Sequence, residues 1–294
     1  MTLTLDPLDN TAKVIQAAPI GICVTDAEGR FEMVNPAYCE LYGYTEQELL
    51  GQPFTLIVPE DNRQRLADLH ARFIAGESEQ ETPHEWEVTG KDGETRNILA
   101  AAARIKDAHG QVKKVTYAID ISERKSLEQR LAFLARHDEL TGLLNRRAGL
   151  ELLDEEMQRS RRYATPLCVA TCDLDHFKRV NDVHGHAVGD SVLREVAVLM
   201  EASLREHDHV IRLGGEEFLI LLPGVGREAA HRAIDRLRQR LESTPIGDAR
   251  LSLTFSAGVA QFEEREAPDA LMERSDRALY RAKQEGRNRV GCAD

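Results

Sequence analysis

Three acidic residues in the C-terminal half lie beside a glycine pair or at the end of an apolar run. Asp173 ends the run LCVATCD, and Glu216 and Glu217 follow Gly214 and Gly215 in RLGGEEF. Carboxylates are the ligands that a hard Mg²⁺ ion carrying nucleotide phosphates requires, and a glycine turn lets a ligand approach the backbone. Taken alone, the glycine pair is better explained as a plain hairpin turn with two solvated glutamates, because such turns are common.

The order of elements predicts that these carboxylates meet. The C-terminal half contains a strand (LCVATCD), a helix (187–205), a strand (HVIRL), the glycine pair, a strand (EFLILL), a helix (226–242), a strand (LTFSAGVAQF) and a last helix. In this ferredoxin-like βαββαβ order, the first and third strands are antiparallel neighbours. Asp173 at the end of the first strand therefore approaches Glu216 and Glu217 at the start of the third.

The N-terminal half has a pattern of short strands and turns. GICVTD and FEMVN flank the turn-forming DAEGR, EWEVTG and TRNILAAAARI flank KDG, and KKVTYAIDIS follows HG. These segments predict an antiparallel sheet built from hairpins. Thr45 and Glu48 form a capping-box pattern, and VPEDNRQRLADLHARFI has apolar residues at helical spacing, which predicts helices on one face of that sheet. The expected fold class is α+β in both halves.

A charged, helix-favouring segment at 122–136 joins the two halves. Leu127, Leu131 and Leu134 are spaced four and three apart, which predicts one short coiled-coil seam. About two heptads are fewer than the three or four that identify a coiled coil, so a single helix packed on its own domain is the alternative. We favour a short helical stalk that pairs two copies of the chain.

The bulk composition narrows the function classes. The 294 residues, 42% hydrophobic and 30% charged, suggest two globular domains. No apolar stretch approaches the roughly 20 residues that span a bilayer, and the N-terminus lacks the pattern of a signal peptide, so we expect a cytoplasmic protein without membrane contact. The net charge of −12 disfavours nucleic-acid binding. Five cysteines without a CxxC pair disfavour a disulfide framework and structural zinc.

Four motifs of the C-terminal half occur together in one order. DELTGLLNRR, DLDHFKRVNDVHGHAVGD, RLGGEEF and DRALYRAKQEGRNR resemble the GGDEF family of diguanylate cyclases, over about residues 137–291. Residues 9–121 resemble a PAS domain in their order of elements, in NPAYCELYGYTEQELLG, in the GKDGE hairpin and in DISERK. The resemblance implies a homodimeric enzyme that condenses two GTP molecules into cyclic di-GMP, controlled by a PAS sensor whose signal the fold alone does not identify.

The GGDEF resemblance also implies roles for individual residues. Two Mg²⁺ or Mn²⁺ ions per site would be held by Asp173, the backbone carbonyl of Leu174, and Glu216, which is also a candidate base. Glu217 would support the metal site, and strand alternation points it away from Glu216. The phosphates would be bound by three cations and two backbone N–H groups: Lys178, Lys283, Arg287, His176 and Phe177. Lys178 also counts among the catalytic residues.

Asn181 and Asp190 match the family's guanine-reading pair. An amide and a carboxylate can hydrogen-bond the purine edge, and the carboxylate accepts from the guanine N1 and exocyclic amine. Outside the motif, Asn181 would cap a turn and Asp190 would begin a helix. The second aspartate of the DLD segment, Asp175, is expected to be structural.

Four further polar residues are not assigned to the chemistry. Asp138 and Arg146 are expected to brace the entrance helix of the C-terminal domain. His184 and His186 are expected to be loop residues, because a third nitrogen or sulfur ligand is not evident nearby.

Arg205 and Asp208 match the family's inhibitory RxxD. An arginine fork can bind a phosphate or a guanine face while the aspartate accepts from guanine, which implies product inhibition by cyclic di-GMP, with Arg236 contributing from a neighbouring helix. The alternative is a surface ion pair between residues one helical turn apart.

Three other functions fit parts of the pattern. They are a catalytically silent protein that binds GTP or cyclic di-GMP, a PAS-driven interaction scaffold, and a cyclase that makes a different dinucleotide.

In the PAS half, the haem-ligating position of PAS oxygen sensors aligns with Leu66, and His70 lies one turn later, which disfavours haem. Cys39 lies outside the motif of flavin-adduct photosensors.

Overall fold

The structure is a computed structural model that describes residues 7–77 and 80–293. The chain divides into two compact units, of which the first ends at Arg130 and the second begins at Leu131. Each unit has its own apolar core. Within the described ranges, every helix is too short or too polar to cross a bilayer.

The first unit is an antiparallel sheet with helices. Its strands are β1 (Gly21–Thr25), β2 (Phe31–Val34), β3 (Gln80–Thr89), β4 (Thr95–Lys106) and β5 (Val112–Asp120), in the order β2-β1-β5-β4-β3. Its helices are α1 (Pro7–Ala17), α2 (Pro36–Tyr42), α3 (Glu46–Leu49) and α4 (Arg63–Ala75), with 3-10 turns at Phe54–Ile57 and Glu60–Asn62. The predicted hairpins and the antiparallel sheet are confirmed.

Local sequence signals explain two of these junctions. The capping box at the start of α3 is present, since the Thr45 N–H donates to the Glu48 carboxylate at 3.0 Å. In the β1–β2 hairpin, Gly29 has φ of +79°, and a Cβ there would lie 2.9 Å from the Phe54 ring. The turn therefore needs a glycine for both its backbone conformation and its space.

Helix α5 (Ser122–Arg136) coincides with the segment predicted as a helical linker. The Glu85 carboxylate accepts from Arg124 at 2.6 Å and pairs with Lys125 at 2.7 Å near the start of this helix. None of its residues is buried, and Leu127 and Leu131 are 54% and 66% exposed. The leucine seam is thus open along most of its length rather than packed on the domain.

The second unit is a six-stranded sheet in the order β11-β10-β7-β9-β8-β6. Its strands are β6 (Leu144–Asn145), β7 (Leu167–Leu174), β8 (His209–Gly214), β9 (Glu217–Pro223), β10 (Phe255–Gln261) and β11 (Val290–Cys292). Its helices are α6 (Arg146–Tyr163), α7 (Phe177–His184), α8 (His186–Glu201), α9 (Arg227–Ser243) and α10 (Pro268–Gln284). The succession β7-α8-β8-β9-α9-β10 with β7 between β10 and β9 confirms the ferredoxin-like arrangement.

The second unit differs from the predicted elements in four places. The helix predicted over 187–205 ends at Glu201, so Arg205 lies beyond it. The short helix α7 and the edge strands β6 and β11 were not predicted. The edge strands have only two and three residues, and both pair in parallel with segments distant in sequence, which local periodicity does not register.

Strand β7 is the central element of this unit. All eight of its residues are buried, and apolar clusters lie on both faces of the sheet. Burial on both faces explains why its sequence reads as a continuous apolar run rather than an alternating one. Its last residues lie at the end of the sheet formed by the C-terminus of β7 and the N-terminus of β9, where the acidic residues are found.

Candidate active site

The carboxylates at the end of β7 and the start of β9 lie side by side. Asp173 is directly opposite Glu217 in the antiparallel register, and the Leu174 N–H donates to the Glu216 carbonyl at 3.2 Å. Asp173 is 9% exposed, whereas Glu217 is solvent-exposed. The predicted approach of these carboxylates is therefore what the fold produces.

The turn between β8 and β9 requires its two glycines. Gly214 and Gly215 have φ of +142° and +54°, which side-chain-bearing residues rarely adopt. A Cβ at either position would meet nothing within 4 Å, so the backbone conformation rather than crowding explains the glycines. The open space beside them leaves the backbone accessible to a ligand.

Arg212 fixes the far side of this turn. Its Nε and Nη2 donate to the Gly215 carbonyl at 3.1 and 2.9 Å, and its Nη1 donates to Asp138 at 2.8 Å. Burial would raise the pKa of Asp138, but hydrogen bonds from Arg212 and Thr141 outweigh burial and hold that pKa below its usual value. Asp138 thus braces the glycine turn, whereas it was predicted to brace the entrance helix of the domain. Arg146 is the first residue of that helix, α6.

One of the predicted phosphate-binding cations touches the carboxylates. Lys283, in the last turn of α10, places its Nζ 2.7 Å from Asp173 Oδ2. Lys178 and Arg287 are exposed, the first in α7 and the second in the turn after α10. Within the described residues, the ion pair of Lys283 is therefore the direct link between the phosphate-binding set and the acidic set.

The start of α7 supplies backbone donors close to Asp173. His176 is the N-cap residue, with φ of +59°, and Phe177 is buried and anchors the first turn. The first N–H groups of a helix have no intrahelical acceptor, and the helix dipole favours an anion there. Both features suit the predicted role of these two residues in phosphate binding.

Asn181 and Asp190 are brought together by the packing of α7 against α8. Gly189, immediately before Asp190, has no side chain, and the Asn181 amide occupies the space that a Cβ would fill, with its Oδ1 1.9 Å from that position. Asp190 itself is exposed. The Asn181 amide therefore lies against the residue next to Asp190, which is compatible with the predicted pairing of these two residues at one ligand.

Asp175 is held by the protein itself. Its carboxylate accepts from the hydroxyls of Thr254 and Ser256, each at 2.7 Å, and from the Asn288 N–H at 3.0 Å. With 6% exposure, the side chain is buried in this hydrogen-bond network. These contacts agree with its interpretation as a structural residue.

The histidines were placed wrongly by the sequence analysis. His184 ends α7 and His186 begins α8, so both are helical residues separated by Gly185 alone. Across residues 7–77 and 80–293, no cluster of three or more His, Cys, Asp or Glu side chains is arranged to hold a metal ion. A metal in the acidic site would need donors beyond side chains.

The donor set fits such a metal. The Asp173 and Glu216 carboxylates and the Leu174 carbonyl are all hard oxygen ligands, which Mg²⁺ and Mn²⁺ prefer. Mg²⁺ usually takes one or two protein carboxylates and completes its shell with water and substrate phosphates. A site with few protein ligands, beside a helix start whose backbone N–H groups are available to an anion, matches that preference.

Comparison with known proteins agrees with this geometry. A family model described as "Diguanylate cyclase, GGDEF domain" matches residues 135–289, and one described as "PAS fold" matches residues 15–126. The chain belongs to the GGDEF family. The predicted order of a PAS domain followed by a GGDEF domain is thereby confirmed.

Two curated proteins and one solved structure illustrate the similarity of this GGDEF protein to its family. Diguanylate cyclase DgcP of Pseudomonas aeruginosa is 38% identical over 232 residues, which cover 78% of this chain and 32% of DgcP. Diguanylate cyclase DgcM of Escherichia coli is 33% identical over 279 residues, covering 94% of this chain and 66% of DgcM. The chain thus spans less than two thirds of either relative. The crystal structure of the coiled coil and GGDEF domain of DgcB from Caulobacter crescentus, in complex with c-di-GMP, superposes with a TM-score of 0.55 at 33% identity, covering 58% of this chain and 91% of that one.

The RxxD segment of this GGDEF domain forms a turn rather than a helix. Asp208 Oδ2 accepts from the Arg205 N–H at 3.0 Å, and the Asp208 N–H donates to the Arg205 carbonyl at 3.0 Å. The alternative of a surface ion pair one helical turn apart is therefore wrong in its geometry, because α8 has already ended. The Asp208 side chain shapes the turn, and the Arg205 side chain is exposed.

A cavity of about 320 Å³ lies beside this turn. Arg205 and Asp208 line it together with residues that the sequence analysis did not associate with them, among them His137, Leu143 and Glu206. Arg236 is exposed on α9, whereas Arg240 of the same helix reaches the Ala202 carbonyl near the turn, at 3.5 Å. His137 and Leu143 follow α5 and are distant in sequence from Arg205, so their place in the cavity wall becomes evident only from the fold.

The PAS unit contains an internal cavity of about 90 Å³ between its sheet and helices. Leu66 and His70 both line it. The His70 Nε2 lies 3.1 Å from the Asp26 carbonyl, and the ring packs on Phe54. Burial, with a smaller contribution from Lys114, lowers the pKa of His70 below its usual value. The imidazole is thus engaged with the backbone of the first hairpin.

Proposed function

We propose that the chain is a diguanylate cyclase that condenses two GTP molecules into cyclic di-GMP and two pyrophosphates. In each half-reaction the 3'-hydroxyl of one GTP attacks the α-phosphate of the other, a P–O bond forms, and pyrophosphate leaves. The observation that carries the proposal is the junction of Asp173, the glycine turn and Lys283. Asp173, which we assign to the metal site, contacts Lys283, which we assign to phosphate binding, at this junction.

Divalent metal, held by Asp173, the Leu174 carbonyl and Glu216, would supply positive charge to the triphosphate and the attacking oxygen. Glu216 would accept the proton of the 3'-hydroxyl, and Glu217 would add negative charge that favours the cation. Lys178, Lys283 and the start of α7 bind the phosphates. One triphosphate requires several donors directed at it, which explains why the end of β7, the start of α7 and the last turn of α10 lie together here.

Guanine specificity is assigned to the contact between α7 and α8. Asn181 and Asp190 together offer an amide and a carboxylate to the Watson–Crick edge, and the carboxylate pairs with the N1 and amine donors of guanine. Adenine has no donor at N1, so it would leave that carboxylate without a partner. This complementarity favours GTP over ATP.

The reaction calls for two copies of the chain. Each catalytic domain supplies one GTP site, and each nucleotide must attack the other once, so two sites have to face each other. The exposed leucines of α5 supply an apolar surface through which copies can pair. Control by the PAS unit, feedback through Arg205 and Asp208, and a cytoplasmic location where GTP is available complete the proposal.

The experiment is incubation of the purified chain with GTP and Mg²⁺, followed by chromatographic identification of the product. We expect Asp173→Asn and Glu216→Gln to abolish turnover while the thermal unfolding midpoint stays close to that of the wild type, because each removes charge that binds metal. Glu228→Gln is the matched control, since that side chain is 92% exposed on α9. A wild-type protein that binds GTP without forming product would instead be a silent binding protein, and near-normal synthesis by either site variant would refute the assignment.

A further inference from the structure

The turn between α10 and β11 has an unusual backbone. Arg287 and Asn288 both have left-handed conformations, with φ of +61° and +46°, and they follow Gly286, with φ of +117°. Residues with a Cβ rarely adopt this conformation and keep it where their surroundings hold them. Contacts at this turn therefore fix the position of the Arg287 Cα and the direction of its Cα–Cβ bond.

One of those contacts comes from the end of β7. Asp175 Oδ2 accepts the Asn288 N–H at 3.0 Å and the Thr254 hydroxyl at 2.7 Å, while Oδ1 accepts the Ser256 hydroxyl at 2.7 Å. The Asp175 N–H also donates to the Thr254 carbonyl at 2.9 Å. Asp175 thus joins β7, the β10 side of the sheet and the turn after α10 through one buried carboxylate.

The other contact comes from α9. The Asn288 side chain donates through Nδ2 to Glu242 at 2.8 Å and accepts through Oδ1 from Arg238, also at 2.8 Å. Arg238 is itself fixed by Asp235 at 2.7 Å. Asn288 is therefore held on its backbone by Asp175 and on its side chain by α9, so that it has little freedom to rotate.

We propose that Asp175 is a positioning residue, which orients Arg287 toward the triphosphate by holding the Asn288 backbone. This inference rests on the proposed function. It assigns the two aspartates of DLD to two tasks: Asp173 belongs to the metal site, and Asp175 sets the position of a phosphate-binding cation. Because Asp173 lies near the end of β7 and Asp175 directly follows that strand, one strand end fixes both the acidic and the cationic side of the substrate.

The competing assignment for Asp175 is a further metal ligand, and the hydrogen bonds distinguish the two. Its carboxylate already accepts from three protein donors, and the Asn288 N–H has a fixed direction, so it needs an acceptor at Oδ2. An asparagine at position 175 can supply that acceptor with its amide oxygen and donate its NH₂ to the Ser256 hydroxyl, which can act as acceptor. An alanine supplies neither. A metal ligand would require the charge, whereas a positioning residue requires the acceptor.

The test is steady-state kinetics of the full chain with GTP. We expect Asp175→Ala to raise KM by roughly tenfold, the effect of one lost hydrogen bond to a charged group. Asp175→Asn should restore most of that loss. In an Arg287→Ala background, Asp175→Ala should add little, because the residue through which it acts is already gone.

Binding measurements separate positioning from general damage. We use 3'-deoxy-GTP and 3'-deoxy-GMP, which lack the attacking hydroxyl and so bind without reacting. Asp175→Ala should weaken the triphosphate about tenfold and leave the monophosphate nearly unchanged, because the proposal assigns Arg287 to the β- and γ-phosphates, which the monophosphate lacks. If Asp175→Ala does not fold, Asp175→Ser serves instead, since the serine side chain is too short to reach the Asn288 N–H but leaves a hydroxyl in the buried hydrogen-bond network. It should weaken the triphosphate selectively as well.

Several outcomes would overturn the inference. They are an Asp175→Asn variant as inactive as Asp173→Asn, equal weakening of both nucleotides, additive effects of Asp175→Ala and Arg287→Ala, or an unaltered triphosphate affinity in Asp175→Ala or, where that variant does not fold, in Asp175→Ser. A wild type that makes no product would contradict the proposed function instead, and the comparison of the two deoxynucleotides would still decide the role of Asp175.

Discussion

Gly189 offers the sharpest test of the proposed recognition of guanine. A Cβ at this position would lie 1.9 Å from Asn181 Oδ1 and 3.0 Å from Asn181 Cγ, far inside the 3.4 Å at which ordinary contact begins. In Gly189→Ala the Asn181 amide must therefore rotate out of its place. The substitution displaces a candidate guanine ligand without changing that residue.

The expected effects on stability and binding have opposite signs. Alanine is favoured over glycine in a helix interior by about 1 kcal/mol, and the clashing atom is the end of a flexible side chain, so the thermal unfolding midpoint should stay the same or rise. Loss of the Asn181 hydrogen bond to guanine should cost about 1 to 1.5 kcal/mol, which is roughly tenfold in KM for GTP. A fall in affinity without a fall in stability identifies displacement of the amide.

Kinetics and calorimetric unfolding of Gly189→Ala, Asn181→Ala and the double variant provide the assay. Gly226→Ala is the control, because that glycine has ordinary backbone dihedrals at the start of α9 and the nearest atom to its Cβ would be 3.7 Å away. The double variant should resemble Asn181→Ala alone, since both substitutions act on one amide. An unchanged KM in folded Gly189→Ala would refute the role of Asn181 in guanine binding.

Three further predictions concern regulation, stability and assembly. Arg205→Ala should abolish inhibition by cyclic di-GMP while turnover persists, and inhibition curves identical to those of the wild type would reduce the RxxD turn to a surface feature. The lowered pKa of Asp138 means that its ion pair with Arg212 stabilises the fold above the usual carboxylate pKa and ceases to do so as the pH falls through the lowered native value. The difference in unfolding midpoint between wild type and Asp138→Asn should therefore be present at neutral pH and shrink below about pH 4, and a difference that is independent of pH would exclude the ion pair as its cause. Glutamate at Leu127 and Leu131 should shift the chain toward monomer by sedimentation and lower synthesis with it, and full specific activity in a monomeric sample would contradict the two-copy requirement.

The carboxylate site could be anticipated because it depends on topology alone. Once the order βαββαβ is recognised, the antiparallel pairing of the first and third strands places Asp173 beside the start of β9. Strand burial, turn glycines and helix periodicity are local signals, and they located β7, β9 and α9 within a few residues. The helical linker was located for the same reason, as its charge pattern is continuous.

What could not be anticipated depends on contacts between distant segments. Nothing in the sequence around Asp175 indicates that its carboxylate oxygens accept hydrogen bonds from residues 79 to 113 positions away. The role of Asp138 at the glycine turn likewise requires a partner 74 residues later. The end of α8 at Glu201 was missed for a local reason: neither glycine nor proline follows it, so the segment before Arg205 kept the appearance of a helix.

The central position of β7 has a consequence for the dynamics of the site. A strand that is buried along its whole length and paired on both sides exchanges its amide hydrogens through global unfolding, whereas exposed turns and short edge elements open locally. We therefore expect Asp173 to be attached to the slowest-exchanging part of this domain, whereas Lys178 is carried by a helix of eight residues. Under the proposed function, the acidic side of the site is therefore a fixed reference, and local opening at the short helix that carries Lys178 can admit the nucleotide and release pyrophosphate.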